Sequence, residues 1–206
     1  MDVNSFLLIL SILCLGISIY VFYRYSLTLS DALFSLGLSM GTIAIAIFCG
    51  YLNVVQVGGV TLHVGWIWYA GTSSGLFFLF LNSIVTSSEQ LRLIKSWQII
   101  ATILFLVLLL LTPTFPAFPN ALTPALLNLA RPFFCALAFC RYVMLYISKE
   151  TRFTLVMSIA FLLLGVGFAM ITPQLLDPSL VFVIAIGAIL RVLGYSTLLF
   201  AYVGTK

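Results

Sequence analysis

Long apolar runs separated by short polar connections account for almost all of this chain. Seven runs stand out: Val3–Tyr23, Thr28–Leu52, Leu62–Val85, Trp97–Thr112, Pro124–Ser148, Phe153–Thr172 and Leu180–Val203. A hydrocarbon core about 30 Å thick is crossed by roughly 20 helical residues, so each run predicts a transmembrane helix. The cationic residues between runs then fall on alternate connections. Arg24 follows the first run, Arg92 and Lys95 the third, Lys149 and Arg152 the fifth, and Lys206 ends the tail. The connections after the second, fourth and sixth runs hold neither lysine nor arginine. Cytoplasmic loops retain positive charge. The pattern therefore predicts an all-α integral membrane protein, a single domain over residues 1–206. It is expected to form a seven-transmembrane-helix bundle with its N-terminus outside and its C-terminus cytoplasmic. The first run lacks the positive leader and small-residue cleavage site of a removed signal peptide, and is expected to remain as an anchoring helix.

Composition narrows the chemistry. Hydrophobic residues make up 63% of the chain and charged residues 7%, which leaves no polar stretch long enough for a soluble domain. The net charge of +4 is dispersed, so it reports topology and offers no basic stripe for nucleic acid. Cys14, Cys49, Cys135 and Cys140 all lie inside apolar runs, away from loops where thiol redox pairs work. Cys135 and Cys140 stand about 140° apart around a helix and do not share a face. All four read as small buried apolar residues.

Without water to drive association, helices in a bilayer pack where small residues let backbones approach. Gly37 and Gly41 form a Gly-x-x-x-Gly pair in the second run, and Gly71 and Gly75 form another in the third. Ser35, Ser39 and Thr42 add a polar stripe at helical spacing. Tight packing is the expected use of these residues. The small residues from Ala70 to Gly75 also fit an unwound helix, the device by which transporters bind substrate. A faint repeat runs at a spacing of about 60 residues, one helical hairpin of the predicted bundle. It pairs Arg92 with Arg152, Thr112-Pro113 with Thr172-Pro173, and Arg131 with Arg191.

Arg131 and Arg191 are the candidate functional residues. At about 1.5 Å of rise per residue they lie roughly 10 Å and 16 Å from the outer ends of their helices. A charge at such depth costs about 2.5–3.5 kcal/mol on insertion scales, so a role is expected for it. Asn128 lies three residues before Arg131 and Tyr195 four after Arg191, so each pair shares a helix face. These neighbours, with Ser196 and the carbonyls freed near Pro132, are possible internal partners. The alternative is a cavity in which the guanidinium groups meet a lipid, a quinone or a small anion. Trp66, Tyr69 and Ser73 repeat at helical spacing and are candidate lining for its mouth, although aromatic residues there also suit an interface belt. The connection Thr112–Pro124 carries four prolines and two phenylalanines and is a candidate cover. Arg141, nearer the inner surface, reads as a snorkelling anchor.

Other chemistry is expected to be absent. Lys95, Lys149 and Lys206 all belong to the inner side. The plan is similar to that of microbial rhodopsins, but it lacks the buried lysine that a retinal Schiff base needs. His63 is the sole histidine, which excludes a bis-histidine haem within the chain and leaves no metal-ligand set. No Asp or Glu lies deep in a run, as proton pumping would require. The sequence therefore predicts a non-enzymatic protein of the cell (plasma or inner) membrane, with no cofactor and no metal. Two roles fit best: an accessory subunit of a membrane complex, partnered by other membrane subunits, or a sensor-like module recognising a lipid, quinone or small anion near Arg131 and Arg191. A small solute transporter is the alternative.

Overall fold

The computed structural model describes residues 3–54, 63–85, 87–112, 115–176 and 180–204, and over these the chain is all helical. Eight helices follow in order: α1 Val3–Thr28, α2 Asp31–Val54, α3 Gly65–Ile84, α4 Ser88–Leu110, α5 Leu122–Lys149, α6 Arg152–Ala169, α7 Ile171–Leu176 and α8 Val181–Gly204. Among the described residues six stretches are long and apolar enough to cross a membrane: Ser5–Thr28, Asp31–Leu52, Ser88–Leu110, Leu122–Lys149, Arg152–Pro173 and Phe182–Val203. The sequence pattern marked a seventh, the present α3. Its centre, Gly71-Thr72-Ser73-Ser74-Gly75, dilutes the apolar signal that its length would otherwise carry.

Two helix ends lie well beyond the apolar runs. α1 continues past Tyr23 to Thr28, which puts Arg24 inside the helix. α4 begins at Ser88, with Ser87 accepting from the Gln90 backbone N–H as its cap, so Arg92 and Lys95 are helical too. Hydropathy marks where a helix is greasy. Arginine, lysine and glutamate are also good helix formers, so the backbone coils through them.

The chain divides into two compact units, Met1–Phe118 and Pro119–Lys206. In the first, α2 is central and packs against α1, α3 and α4. Glycine sets these approaches. A Cβ at Gly37 would press on the Phe22 ring at 3.2 Å, and one at Gly41 would meet the Ser18 hydroxyl at 3.1 Å. On α3, a Cβ at Gly71 would fall 2.7 Å from that of Ala46, and one at Gly75 would fall 3.0 Å from the Ser39 carbonyl. The small-residue run of α3 is thus an unbroken helix held close to its neighbours.

In the second unit α6 packs against both α5 and α8. α6 and α8 meet at glycines: a Cβ on Gly167 would lie 3.0 Å from the Gly187 carbonyl and 3.1 Å from the Arg191 nitrogen. Below this crossing the Tyr142 and Phe161 rings stack at 5.6 Å. The helix expected to run to Thr172 breaks at Met170, and the short α7 follows. Pro173 lacks the N–H that would bond to the carbonyl of Ala169, so the break falls one turn before the proline.

Candidate functional site

Asn128, Arg131, Arg191 and Tyr195 all lie in the second unit and are all buried; Arg131 is 0% exposed and Arg191 4%. Asn128 is the hub. Its amide donates to the Phe168 carbonyl at 2.9 Å and to the Thr172 hydroxyl at 3.0 Å, tying α5 to the chain on both sides of the Met170 break. A helix end leaves carbonyls without intrahelical donors. The asparagine supplies one. Its own oxygen accepts from Nη1 of Arg131 at 3.2 Å, one turn further along α5.

Both charges lie near the ring of Phe168. The guanidinium carbon of Arg131 lies 5.6 Å from the centre of its ring, and that of Arg191 lies 5.7 Å away. A desolvated cation over an aromatic face gains on the order of 2 kcal/mol. Arg191 also folds back along α8, where its Nε donates to the Gly187 carbonyl at 3.1 Å. Its stem lies on Gly167, where a Cβ would come within 2.8 Å of its Cγ. Ser196, considered as a partner for Arg191, points to the exposed side of α8. Thr172 was visible beforehand through its proline, but not as a partner of Asn128. Phe168 was missed because nothing marks one phenylalanine within an apolar run.

Trp66, Tyr69 and Ser73 belong to the first unit. Trp66 donates its indole N–H to the Pro116 carbonyl at 2.9 Å, and its ring lies 4.6 Å from that of Phe118. Tyr69 is buried and meets Phe118 edge-on at 5.9 Å. Ser73 is half-buried. The expected aromatic mouth is therefore engaged by the connection that follows α4, through Pro116 and Phe118.

A second polar centre in the first unit had half shown itself. Gln98, inside the apolar α4, donates to the Ser35 carbonyl and the Ser39 hydroxyl, both at 2.8 Å, and accepts from the Ser35 hydroxyl. The serine stripe was legible; its partner was not singled out. One turn before Gln98, Lys95 pairs with Asp31 at 2.5 Å and lies 4.7 Å from the Phe34 ring centre.

Surface grooves between neighbouring helices are apolar. One of about 240 Å³ lies between α5 and α6, lined by Pro132, Ala136, Phe161 and Gly165. Another of about 350 Å³ lies between α3 and α4, lined by Phe78, Leu81, Trp97 and Leu104. Neither includes an arginine, and both suit hydrocarbon chains. Among the described residues no cluster of histidine, cysteine or carboxylate is arranged to hold a metal. Comparison with family models, curated proteins and solved structures gives no match for this chain.

Proposed function

We propose that this is a non-enzymatic membrane protein that acts as an accessory subunit of a larger membrane assembly. It crosses the bilayer seven times, α3 included, with its N-terminus outside and its C-terminus in the cytoplasm of a cell (plasma or inner) membrane. The observation that carries the reading is how its buried polar side chains are used. Buried Asn128 and Gln98 brace neighbouring helices, buried Arg131 donates to Asn128, and half-buried Trp66 holds the connection after α4, which is what a scaffold requires. The exposure of α4 supports association. Only Gln98 and Phe105 on it are buried, while Trp97 is 60% and Leu110 80% exposed. A span held by so narrow a seam has a wide apolar face for lipid or for another helix. Native mass spectrometry after gentle extraction from its own membrane tests this. The expected result is this chain together with further polypeptides in fixed ratio. A bare monomer carrying lipid alone would reject the reading.

A sensor-like reading rests on the two guanidinium groups around Phe168. It requires a lipid, quinone or small anion to reach Arg131 or Arg191. Arg131 is enclosed and bonded to Asn128, and neither groove described above includes an arginine, which favours the scaffold role over it.

A further inference from the structure

Arg191 has donors to spare. Its Nε is used by Gly187, and its charge is shared with the Phe168 ring. Among the described residues no oxygen accepts from its two Nη groups, although the residue is 4% exposed. These Nη groups are also not among the fully enclosed atoms that lack a partner. The uncovered part of Arg191 thus includes the edge of its guanidinium, whose paired N–H groups match the two oxygens of a carboxylate.

Depth selects the source of that carboxylate. Arg191 sits in the first half of α8, and under the seven-crossing reading it lies near the bilayer midplane. Lipid phosphates stay at the surface, about 15 Å from the midplane or further. Ionisable groups this deep pair with one another across helices. Packing leaves Arg191 no room to turn away, because Gly167 and Gly187 hold α6 against α8 along its stem.

We infer that the guanidinium edge of Arg191 is an assembly contact, which receives the side-chain carboxylate of an Asp or Glu placed mid-membrane on a partner's transmembrane helix. This rests on the accessory-subunit reading and names the chemistry by which the partner is chosen. Burial of the rest of the residue makes the contact selective. A carboxylate on a slim helix can reach the edge, whereas an uncharged helix gains only apolar contact there. A bare leucine helix should therefore be refused.

The test uses a synthetic helix of leucine and alanine with one central glutamate, and otherwise identical peptides carrying glutamine or leucine at that place. Association with the full-length protein is read by energy transfer in neutral phosphatidylcholine vesicles. The glutamate peptide is expected to bind at least tenfold more tightly than either control. Arg191→Leu should abolish that preference, and Arg191→Lys should retain part of it. Gln98→Leu, a destabilising change in the other unit that leaves the donor edge in place, should retain most of it and guards against misfolding as the cause. Equal binding of all three peptides, or an undiminished preference in Arg191→Leu, would overturn the proposal. The outcome is separable from the broader reading. A monomer in native mass spectrometry defeats the subunit role whatever the peptides do, and companions found with a peptide-blind Arg191 defeat only this contact.

Discussion

Gln98 and Asn128 do the same work in the two units, and the difference between their surroundings is instructive. Each is a buried amide that ties its helix to a neighbour through a backbone carbonyl and a hydroxyl. Gln98 bonds to Ser35 and Ser39 on α2. Asn128 bonds to Phe168 and Thr172 across the α6–α7 break. Around Gln98 the polar partners are neutral, and the nearby charge, Lys95, meets Asp31 with both side chains part exposed. Around Asn128 two arginines are buried against the ring of one phenylalanine. Neutral hydrogen bonding suffices to join two helices in the first unit. The second unit therefore carries more charge than joining its helices demands, which is why a role in assembly is sought there.

The glycine crossings carry the largest expected effect. Gly167→Leu forces side-chain atoms onto backbone of α8, which has no flexible end to yield. A loss of about 3 kcal/mol or more is expected, since overpacking costs about 1–3 kcal/mol even where neighbours can move. Thermal unfolding in detergent, followed by helical circular dichroism, measures it. If Gly167→Leu unfolds like the parent, the close packing of α6 on α8 is wrong.

Removing the amides sharpens the comparison directly. Gln98→Leu is expected to cost about 1.5 kcal/mol and Asn128→Leu about 1 kcal/mol, near the upper end of interhelical hydrogen bonds in membranes. Asn128→Leu should additionally raise proteolysis near the α6–α7 break, where Gln98→Leu should not. Equal protection of that segment in both variants would remove the distinction between the two joints. The smallest effect belongs to Lys95→Met. Its ion pair is 25% and 30% exposed. A loss of about 0.5 kcal/mol at low salt, fading by about 0.5 M sodium chloride, is expected for a pair of that exposure. A loss that persists in salt would mean that Lys95 acts chiefly through the rings of Phe34 and Tyr25.

Much of the helical order was legible, because apolar runs of membrane length are hard to mistake. Their ends were less so. Arg24, Arg92 and Lys95 were read as connection residues, yet each lies in a helix, since polarity alone does not stop a backbone from coiling. The Thr172-Pro173 stop was visible, but the break itself falls at Met170, where the missing proline N–H takes effect. Asn128, Arg131, Arg191 and Tyr195 stood out as polar residues in an apolar sequence. Phe168 and Gly167 did not, because their importance comes from what the fold sets beside them. Trp66 and Tyr69 were noticed as aromatic residues at helical spacing, and their contacts are with Pro116 and Phe118 of their own unit.

The account depends most on α3 being a true crossing, because that makes the number of spans odd and fixes the side from which Arg191 is approached. Single cysteines placed at His63 and at Ser87, just before and just after α3, test it in a variant whose four native cysteines are replaced by alanine. Labelling intact cells or spheroplasts with an impermeant maleimide should modify the His63→Cys protein at once. The Ser87→Cys protein should react only after the membrane is opened. Labelling of both from the same side would contradict seven crossings, and with them the side from which α8 and its Arg191 are entered.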